Sequence, residues 1–188
     1  MRPDELLTLP DDLPVPEDDG AADHLPGMAL PPVALPGTDG AEVRLDTLPG
    51  RTVVFAYPRT ARPGEEIPGG TGEWNAIPGA RGCSLEAHAF AVSHERLRAL
   101  GPAVYGLSTQ DTAYQRELVE RLELPFTVLS DERLELTRAL RLPTFEVEGM
   151  TLLKRLTMVI AGGRVEHVSY PVFPPDSAAD EVVAWLER

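Results

Sequence analysis

One side chain stands out as a nucleophile, because Cys83 is the only cysteine in this chain of 188 residues. It lies in the segment GARGCSLEAHAF, between a glycine-rich loop and the start of a predicted helix. A helix N-terminus presents free N–H groups and a partial positive charge, and both favour a thiolate over a thiol. Arg81 adds a positive charge nearby. The position predicts a reactive thiol, and the alternative is a buried, inert cysteine.

A second candidate is Arg155, which lies in the apolar run TLLKRLTMVI. The run predicts one strand over residues 152–160, in which Arg155 shares a face with apolar side chains. An arginine among apolar neighbours is costly to bury unless it is paired. Either the guanidinium points at the thiolate of Cys83, or it faces solvent from an edge strand.

Other residue combinations carry weaker signals. Glu86 follows Cys83 by three residues, and an acid in a first helical turn is favourable for helix electrostatics alone. The four histidines have no mutual ligand spacing, so we expect no metal and no other cofactor. They are His24, His88, His94 and His167. A single cysteine also excludes disulfides within the chain and CxxC chemistry.

Charge and hydropathy exclude several classes of partner. The net charge of −13 argues against nucleic acid or an anionic membrane as the main partner, because phosphate binding needs a clustered basic surface. No run of apolar residues is long enough to span a bilayer. The first residues lack the basic and apolar regions of a secretory signal. We therefore expect a cytoplasmic protein.

The elements that would position these residues follow from hydrophobic patterning. The segments PPVAL and AEVRL flank the turn GTDG and predict an N-terminal hairpin. Strands are predicted over residues 52–57, 103–107, 126–129, 152–160 and 164–170. Helices are predicted over residues 84–100, 112–122, 132–140 and 176–187, with Thr112 and Ser130 as candidate caps. This alternation predicts an α/β fold with a mixed central sheet flanked by helices.

Two segments fall outside the alternation. Residues 1–26 hold eight acidic residues and five prolines, a composition that fits either a disordered tail or an arm lying on a domain at 27–188. Residues 59–82 form a long connection rich in proline, glycine and charge. A connection of this length inside a compact domain is usually functional or mobile.

Four segments, in order, resemble the peroxiredoxin family, most closely its Q-type (bacterioferritin-comigratory) branch. Residues 25–58 resemble the family's entry hairpin and the strand that ends in proline. GCSLEAHAF resembles the peroxidatic segment GCTxExCxF, and VYGLSTQDTAYQRELVERLELPFTVLSD resembles the strand and helix that follow. KRLTMVIAGGRVEHV resembles the strand that carries the active-site arginine. The resemblance covers residues 25–188.

The resemblance implies a thioredoxin-like fold and a thiol-dependent peroxidase, an oxidoreductase acting on hydroperoxides. It puts Cys83 on the peroxidatic cysteine and Arg155 on the arginine that holds the thiolate and polarises the O–O bond. Glu86 falls where the branch has Glu or Gln, and Pro58 falls on the proline that ends the strand. The implied partners are a hydroperoxide, an external thiol reductant (thioredoxin-like or of low molecular weight) and, in a homodimer, a second copy of the chain.

Two departures concern spacing and recycling. The family motif PxxxTxxC has its proline seven residues before the cysteine, whereas Pro58 lies 25 residues before Cys83. Residues 59–82 are therefore predicted to be an insertion. The resolving cysteine of the branch falls on His88, so a sulfenic acid cannot be resolved within this chain.

A third departure leaves three functional interpretations open. The motif threonine is replaced by Ala80, and Thr60 or Thr71 would have to fold back to supply its hydroxyl. The first interpretation is a one-cysteine peroxidase that reduces hydrogen peroxide or organic hydroperoxides. The second is a non-enzymatic thiol redox sensor or binding module on the same fold. The third is a structural relic whose thiol is inert.

Overall fold

A mixed five-stranded sheet forms the centre of the protein in the computed structural model, which describes residues 7–188. In chain order the strands are β1 (Ala34–Pro36), β2 (Glu42–Arg44), β3 (Arg51–Ala56), β4 (Ala103–Ser108), β5 (Val128–Ser130), β6 (Thr144–Val147), β7 (Met150–Leu153), β8 (Leu156–Ala161) and β9 (Arg164–Ser169). The central order is β5-β4-β3-β8-β9. β3, β4 and β5 run parallel, and β8 and β9 are antiparallel to their neighbours.

Helices cover the sheet and its edges. They are α1 (Gly70–Ala76), α2 (Cys83–Val92), α3 (His94–Leu100), α4 (Thr112–Leu122), α5 (Glu135–Leu140) and α6 (Ala178–Leu186). β1 and β2 form the predicted N-terminal hairpin. Among the described residues, no helix combines the length and the apolar character needed to cross a bilayer.

Strand β3 shows why its apolar run is continuous. Val53 and Phe55 pack on one face of the sheet with α2 and α6, while Val54 and Ala56 pack on the other face with residues of the arm and the hairpin. A strand covered on both faces needs apolar residues at every position. β3 therefore lies at the centre of the sheet, and its C-terminal end leads directly to Pro58.

Two predicted elements are each divided in the structure. The helix predicted over 84–100 is divided into α2 and α3. Ser93 lies between them and is both the C-cap of α2 and the N-cap of α3. The strand predicted over 152–160 is β7 and β8, separated by Lys154 and Arg155. The reason is a change of partner, because β7 pairs with β6, which the sequence pattern missed, whereas β8 pairs with β3.

Aspartates cap α4 and α5, in place of the predicted hydroxyl residues. The carboxylate of Asp111, and not Thr112, accepts a hydrogen bond from the backbone of Tyr114 at 2.7 Å. At α5 the buried carboxylate of Asp131 accepts from two backbone N–H groups, at 3.1 and 2.7 Å. Ser130 Oγ donates instead to a backbone carbonyl. Both sites meet the need of a helix N-terminus for acceptors.

The segment 59–82, predicted to be an insertion and called the insertion below, contains α1 and has a small core of its own. Ile67, Trp74 and Ala80 are buried there against Leu152 of β7. Phe145 of β6 packs on the same cluster. The segment and the β6–β7 hairpin therefore form one layer, which lies beside the start of α2.

Residues 7–26, called the arm below, lie against the domain; residues 1–6 of the predicted acidic segment lie outside the described residues. Ala22 and Leu25 are buried in the core beneath the sheet. Asp19 accepts hydrogen bonds from Lys154 Nζ at 2.6 Å and from the hydroxyl of Tyr170 at 2.7 Å. The arm thus reaches the connection between β7 and β8, next to Arg155.

Candidate active site

Helix α2 begins at Cys83 because Gly82 can occupy the position before it. Gly82 has a φ of +97°, a conformation that favours glycine. A Cβ at Gly82 would lie 2.5 Å from Pro175 Cγ and 2.9 Å from Leu9 Cδ2. Both the backbone conformation and the close packing therefore require glycine. The sulfur of Cys83 is placed at the N-terminal end of α2, as predicted.

The guanidinium of Arg155 lies against the sulfur of Cys83. Nη2 of Arg155 donates a hydrogen bond to Sγ at 3.2 Å, and Sγ lies 3.4 Å from the carbonyl oxygen of Ala80, to which the thiol donates. The same Nη2 donates to the carbonyl oxygens of Gly79 and Arg81, at 3.3 and 3.2 Å. One amino group therefore holds the turn before α2 and supplies a charged donor to the sulfur. A donor of this kind stabilises a thiolate.

The predicted strand did not indicate how Arg155 is oriented, but the structure does. Arg155 lies in the break before β8 and is only 3% exposed. Of the two alternatives for this residue, the guanidinium that points at Cys83 is the one observed. Its partners offset the cost of burying the charge.

Glu86 is the second partner of the arginine. It is fully buried, and its Oε2 accepts a hydrogen bond from Arg155 Nη1. Burial raises the pKa of Glu86 to about 7, against the attraction of Arg155. Burial by itself would lower the pKa of Arg155. The attraction of Glu86 and Cys83 outweighs this effect and raises the pKa of the arginine above its usual value. Glu86 therefore orients the guanidinium, a role that helix electrostatics alone did not suggest.

Neither Thr60 nor Thr71 forms a hydrogen bond with the sulfur of Cys83. Ala80 is fully buried in the core of the insertion. Thr60 lines the same cavity as Cys83, but its Oγ1 donates to Gln110 Oε1 at 3.1 Å. Thr71 is exposed on α1 and does not line this cavity.

Pro58 and His88 do not line the cavity at Cys83. Pro58 is buried just after β3, where it begins the path of the insertion. His88, at the position of the resolving cysteine, is exposed on α2. Within residues 7–188, no three His, Cys, Asp or Glu side chains are grouped so that they could hold a metal ion.

The sulfur faces a cavity of about 30 Å³. A space of this volume holds a water-sized molecule, so it can admit hydrogen peroxide or the reacting end of a larger hydroperoxide. Trp74, Tyr114 and Gln110, around or next to this cavity, were not anticipated from the sequence. The ring of Tyr114 lies under the guanidinium groups of Arg59 and Arg62, 4.8 and 4.1 Å from its centre. These contacts fasten the start of the insertion to α4.

Comparisons with known proteins show which family the chain belongs to. The family described as Redoxin matches residues 25–183. The chain is 31% identical over 162 residues to peroxiredoxin Q, chloroplastic, of Oryza sativa subsp. japonica, with 86% of this chain and 66% of the rice protein covered. It is 26% identical over 167 residues to peroxiredoxin Bcp of Escherichia coli (strain K12), with 86% and 95% covered. The chain thus spans slightly under two thirds of the rice protein.

Solved structures establish the fold. Peroxidoxin BcpB from Mycobacterium tuberculosis superimposes with a TM-score of 0.69 at 24% identity, covering 87% of this chain and 97% of that one. Peroxiredoxin Q of Xanthomonas campestris gives a TM-score of 0.65 at 19% identity, covering 94% and 96%. The predicted thioredoxin-like α/β fold, with a mixed central sheet flanked by helices, is confirmed.

Proposed function

We propose that the chain, which belongs to the Redoxin family and within it to the Q-type peroxiredoxins, is a one-cysteine, thiol-dependent peroxidase. This oxidoreductase would reduce hydrogen peroxide or organic hydroperoxides. The observation that carries the proposal is the hydrogen bond from Arg155 Nη2 to Cys83 Sγ, 3.2 Å long. It brings a charged donor to the only thiol of the chain, at a helix N-terminus.

The first step is oxidation of the sulfur. The Cys83 thiolate attacks the terminal oxygen of the hydroperoxide, and an S–O bond forms while the O–O bond breaks. The electron pair of that bond goes to the leaving oxygen, which takes up a proton and departs as water or an alcohol. The cysteine becomes a sulfenic acid. Arg155 and the backbone N–H groups of α2 would stabilise the negative charge that moves between the oxygens.

The second step needs a thiol from outside the chain. A reductant R–SH attacks the sulfenic sulfur, so that a mixed disulfide forms and water leaves. A second thiol then attacks this disulfide, releases the Cys83 thiol and forms R–S–S–R. The support for an external reductant is that Cys83 is the only cysteine and that His88 occupies the position of the resolving residue.

A redox sensor on the same fold is the second candidate function. The observation that favours it is the apolar surrounding of Ala80, which provides no hydroxyl to bind a peroxide. A sensor would be oxidised at Cys83 but would turn over poorly with any added thiol. Turnover therefore discriminates between the two functions.

Stoichiometric oxidation tests the proposal directly. Reduced protein is mixed with one equivalent of hydrogen peroxide, and loss of the thiol and formation of sulfenic acid are followed in time. We expect oxidation far faster than that of free cysteine, no sulfenic acid in Cys83→Ser, and a rate about 100-fold lower in Arg155→Ala. Arg98→Ala, which removes an exposed arginine of α3, is the control and should react like the parent protein. A rate no higher than that of free cysteine contradicts the peroxidase and favours the sensor, whereas no reaction before unfolding would indicate an inert thiol.

A cytoplasmic location and a homodimer are further parts of the proposal. A reducing compartment would keep a lone thiol available for peroxide. Val92 of α2 is 72% exposed and offers an apolar contact for a second copy. Cell fractionation and sedimentation velocity test these two points.

A further inference from the structure

The arm closes over the turn that precedes Cys83. Leu9 and Pro16 of the arm lie close to two glycines of this turn. A Cβ added at Gly82 would lie 2.9 Å from Leu9 Cδ2, and one added at Gly79 would lie 3.5 Å from Pro16 Cγ. The turn from Gly79 to Gly82 carries the carbonyl oxygens that accept hydrogen bonds from Arg155 and from the thiol of Cys83. The arm therefore covers the backbone of the site itself, and Cys83 is only 3% exposed.

A groove beside the arm lies next to the small cavity at Cys83. It has a volume of about 680 Å³ and lies between residues 8–10 of the arm and the insertion. Glu66, Ile67 and Arg81 line both this groove and the small cavity at Cys83. The two spaces are therefore adjacent, and the arm forms one wall of the approach. The groove accommodates the body of a small molecule, while the cavity accommodates only its reacting end.

Residues 9–19 of the arm contact the domain through side chains, whereas the residues just beyond the arm are attached through their backbone. Gly27 and Leu30, just beyond the arm, donate backbone hydrogen bonds of 2.8 Å to the β8–β9 hairpin. The contacts of residues 9–19 with the domain include those of the side chains of Leu9, Pro16 and Asp19. The ion pair of Asp19 with Lys154 is solvent-exposed, and such pairs contribute little to stability. Local opening of this segment therefore costs much less than global unfolding.

We propose that residues 7–19 form a selectivity gate for the Cys83 site. When closed, the gate admits hydroperoxides and thiols of low molecular weight, whose bodies fit the groove, and it excludes hydroperoxides and thiols carried on proteins. This inference rests on the proposed function and specifies its substrate size and its reductant class. The residue that determines the selectivity is Leu9, because it packs directly on Gly82.

Bulk-graded alkylation tests the gate without relying on peroxidase activity. The full-length reduced protein is treated with iodoacetamide as the small probe and with fluorescein maleimide as the bulky probe. In Leu9→Asp we expect the bulky probe to react about tenfold faster and the small probe to change by less than about twofold. Val15→Asp is the matched control, because Val15 lies in the same arm but is 64% exposed. Both of its rates should equal those of the parent.

A second pair of variants covers the case in which Leu9→Asp unfolds, as shown by loss of its circular dichroism spectrum. Asp19→Ala removes the ion pair with Lys154. Its control, Asp18→Ala, removes the neighbouring acid, which accepts a hydrogen bond from the backbone of nearby Gly20. Faster bulky labelling in Asp19→Ala alone supports the gate. Unchanged bulky labelling in every folded gate variant, or equal acceleration in the controls, overturns it.

The peroxide assay separates failure of the gate from failure of the proposed function. In Leu9→Asp the ratio of the oxidation rate with a protein-borne hydroperoxide to that with hydrogen peroxide should rise about tenfold. An unchanged ratio contradicts the gate. If neither peroxide oxidises Cys83 in any variant, the proposed function fails, while the alkylation rates still decide whether the arm controls access.

Discussion

At the scale of residues, one guanidinium serves two acidic groups. Arg155 contacts the sulfur of Cys83 and the carboxylate of Glu86 in a site where all three side chains are buried. If both partners were ionised, the site would carry a net negative charge away from water, which is unfavourable. Glu86 and Cys83 therefore compete for the arginine, and protonation of the carboxyl leaves the guanidinium free to serve the sulfur.

The stability of the protein should report this competition through pH. The pKa of Glu86 is raised from 4.5 to about 7 by burial, so the folded protein binds this proton more tightly than the unfolded chain. The stability it contributes is present below about pH 4.5 and is lost as the pH rises through about 7. We expect the free energy of unfolding of the parent to fall by about 3 kcal/mol more than that of Glu86→Gln between pH 4.5 and 8.

Urea unfolding at a series of pH values measures the difference. Glu95→Gln, which neutralises an exposed carboxylate on α3, serves as control and should follow the parent protein. A parallel pH dependence in the parent and in Glu86→Gln would contradict the assignment of the raised pKa to this residue.

At the scale of elements, the insertion acts as a wall of the site. Its residues Ile67, Trp74 and Ala80 pack with Leu152 of β7, and Trp74 also lines the cavity at Cys83. The insertion thus uses the β6–β7 hairpin as its support, and its last turn is held by Arg155. Weakening this small core should loosen the cavity while the central sheet remains folded.

Trp74→Ala tests the wall. Removing a buried aromatic side chain leaves a cavity, and we expect a loss of about 3 kcal/mol in the free energy of unfolding. The rate of iodoacetamide labelling at Cys83 should rise as well, because the indole shields the cavity. Chemical denaturation and mass spectrometry of the labelled protein give the two quantities. Thr71→Ala, an exposed change on the same helix, should alter neither, and an unchanged labelling rate in Trp74→Ala would show that the insertion does not control access.

At the scale of the whole molecule, negative charges far outnumber positive ones. The chain has 30 acidic and 17 basic residues, and several of the arginines lie near the site. At low ionic strength a net charge of this size repels anions over a distance of about a Debye length. A neutral hydroperoxide approaches without this penalty.

Salt dependence of the oxidation rate tests this field. Between about 20 and 300 mM salt, we expect oxidation by hydrogen peroxide to change by less than about 1.5-fold and oxidation by peroxymonosulfate to rise severalfold. Stopped-flow measurements on the reduced protein provide both rates. A fall in the peroxymonosulfate rate with added salt would mean that the arginines near Cys83, and not the net charge, dominate the approach.

Sequence reasoning succeeded where the signal is local. The hairpin around GTDG, the apolar run of β3 and the thiol at the start of α2 depend on neighbours within a few residues. It was less successful where a run of similar residues changes its partner. The pattern TLLKRLTMVI does not show that its first half pairs with β6 and its second half with β3. For the same reason β6 itself was missed.

The sequence by itself determined the α/β class, the single thiol and the family resemblance, because composition, periodicity and motif order are properties of the chain. The fold alone brings Arg155 to Cys83, since the two residues are 72 positions apart and meet where the break between β7 and β8 contacts the turn before α2. It also decided how the arm and the insertion enclose the sulfur. Such enclosure depends on which distant surfaces fit together, and no local pattern encodes that fit.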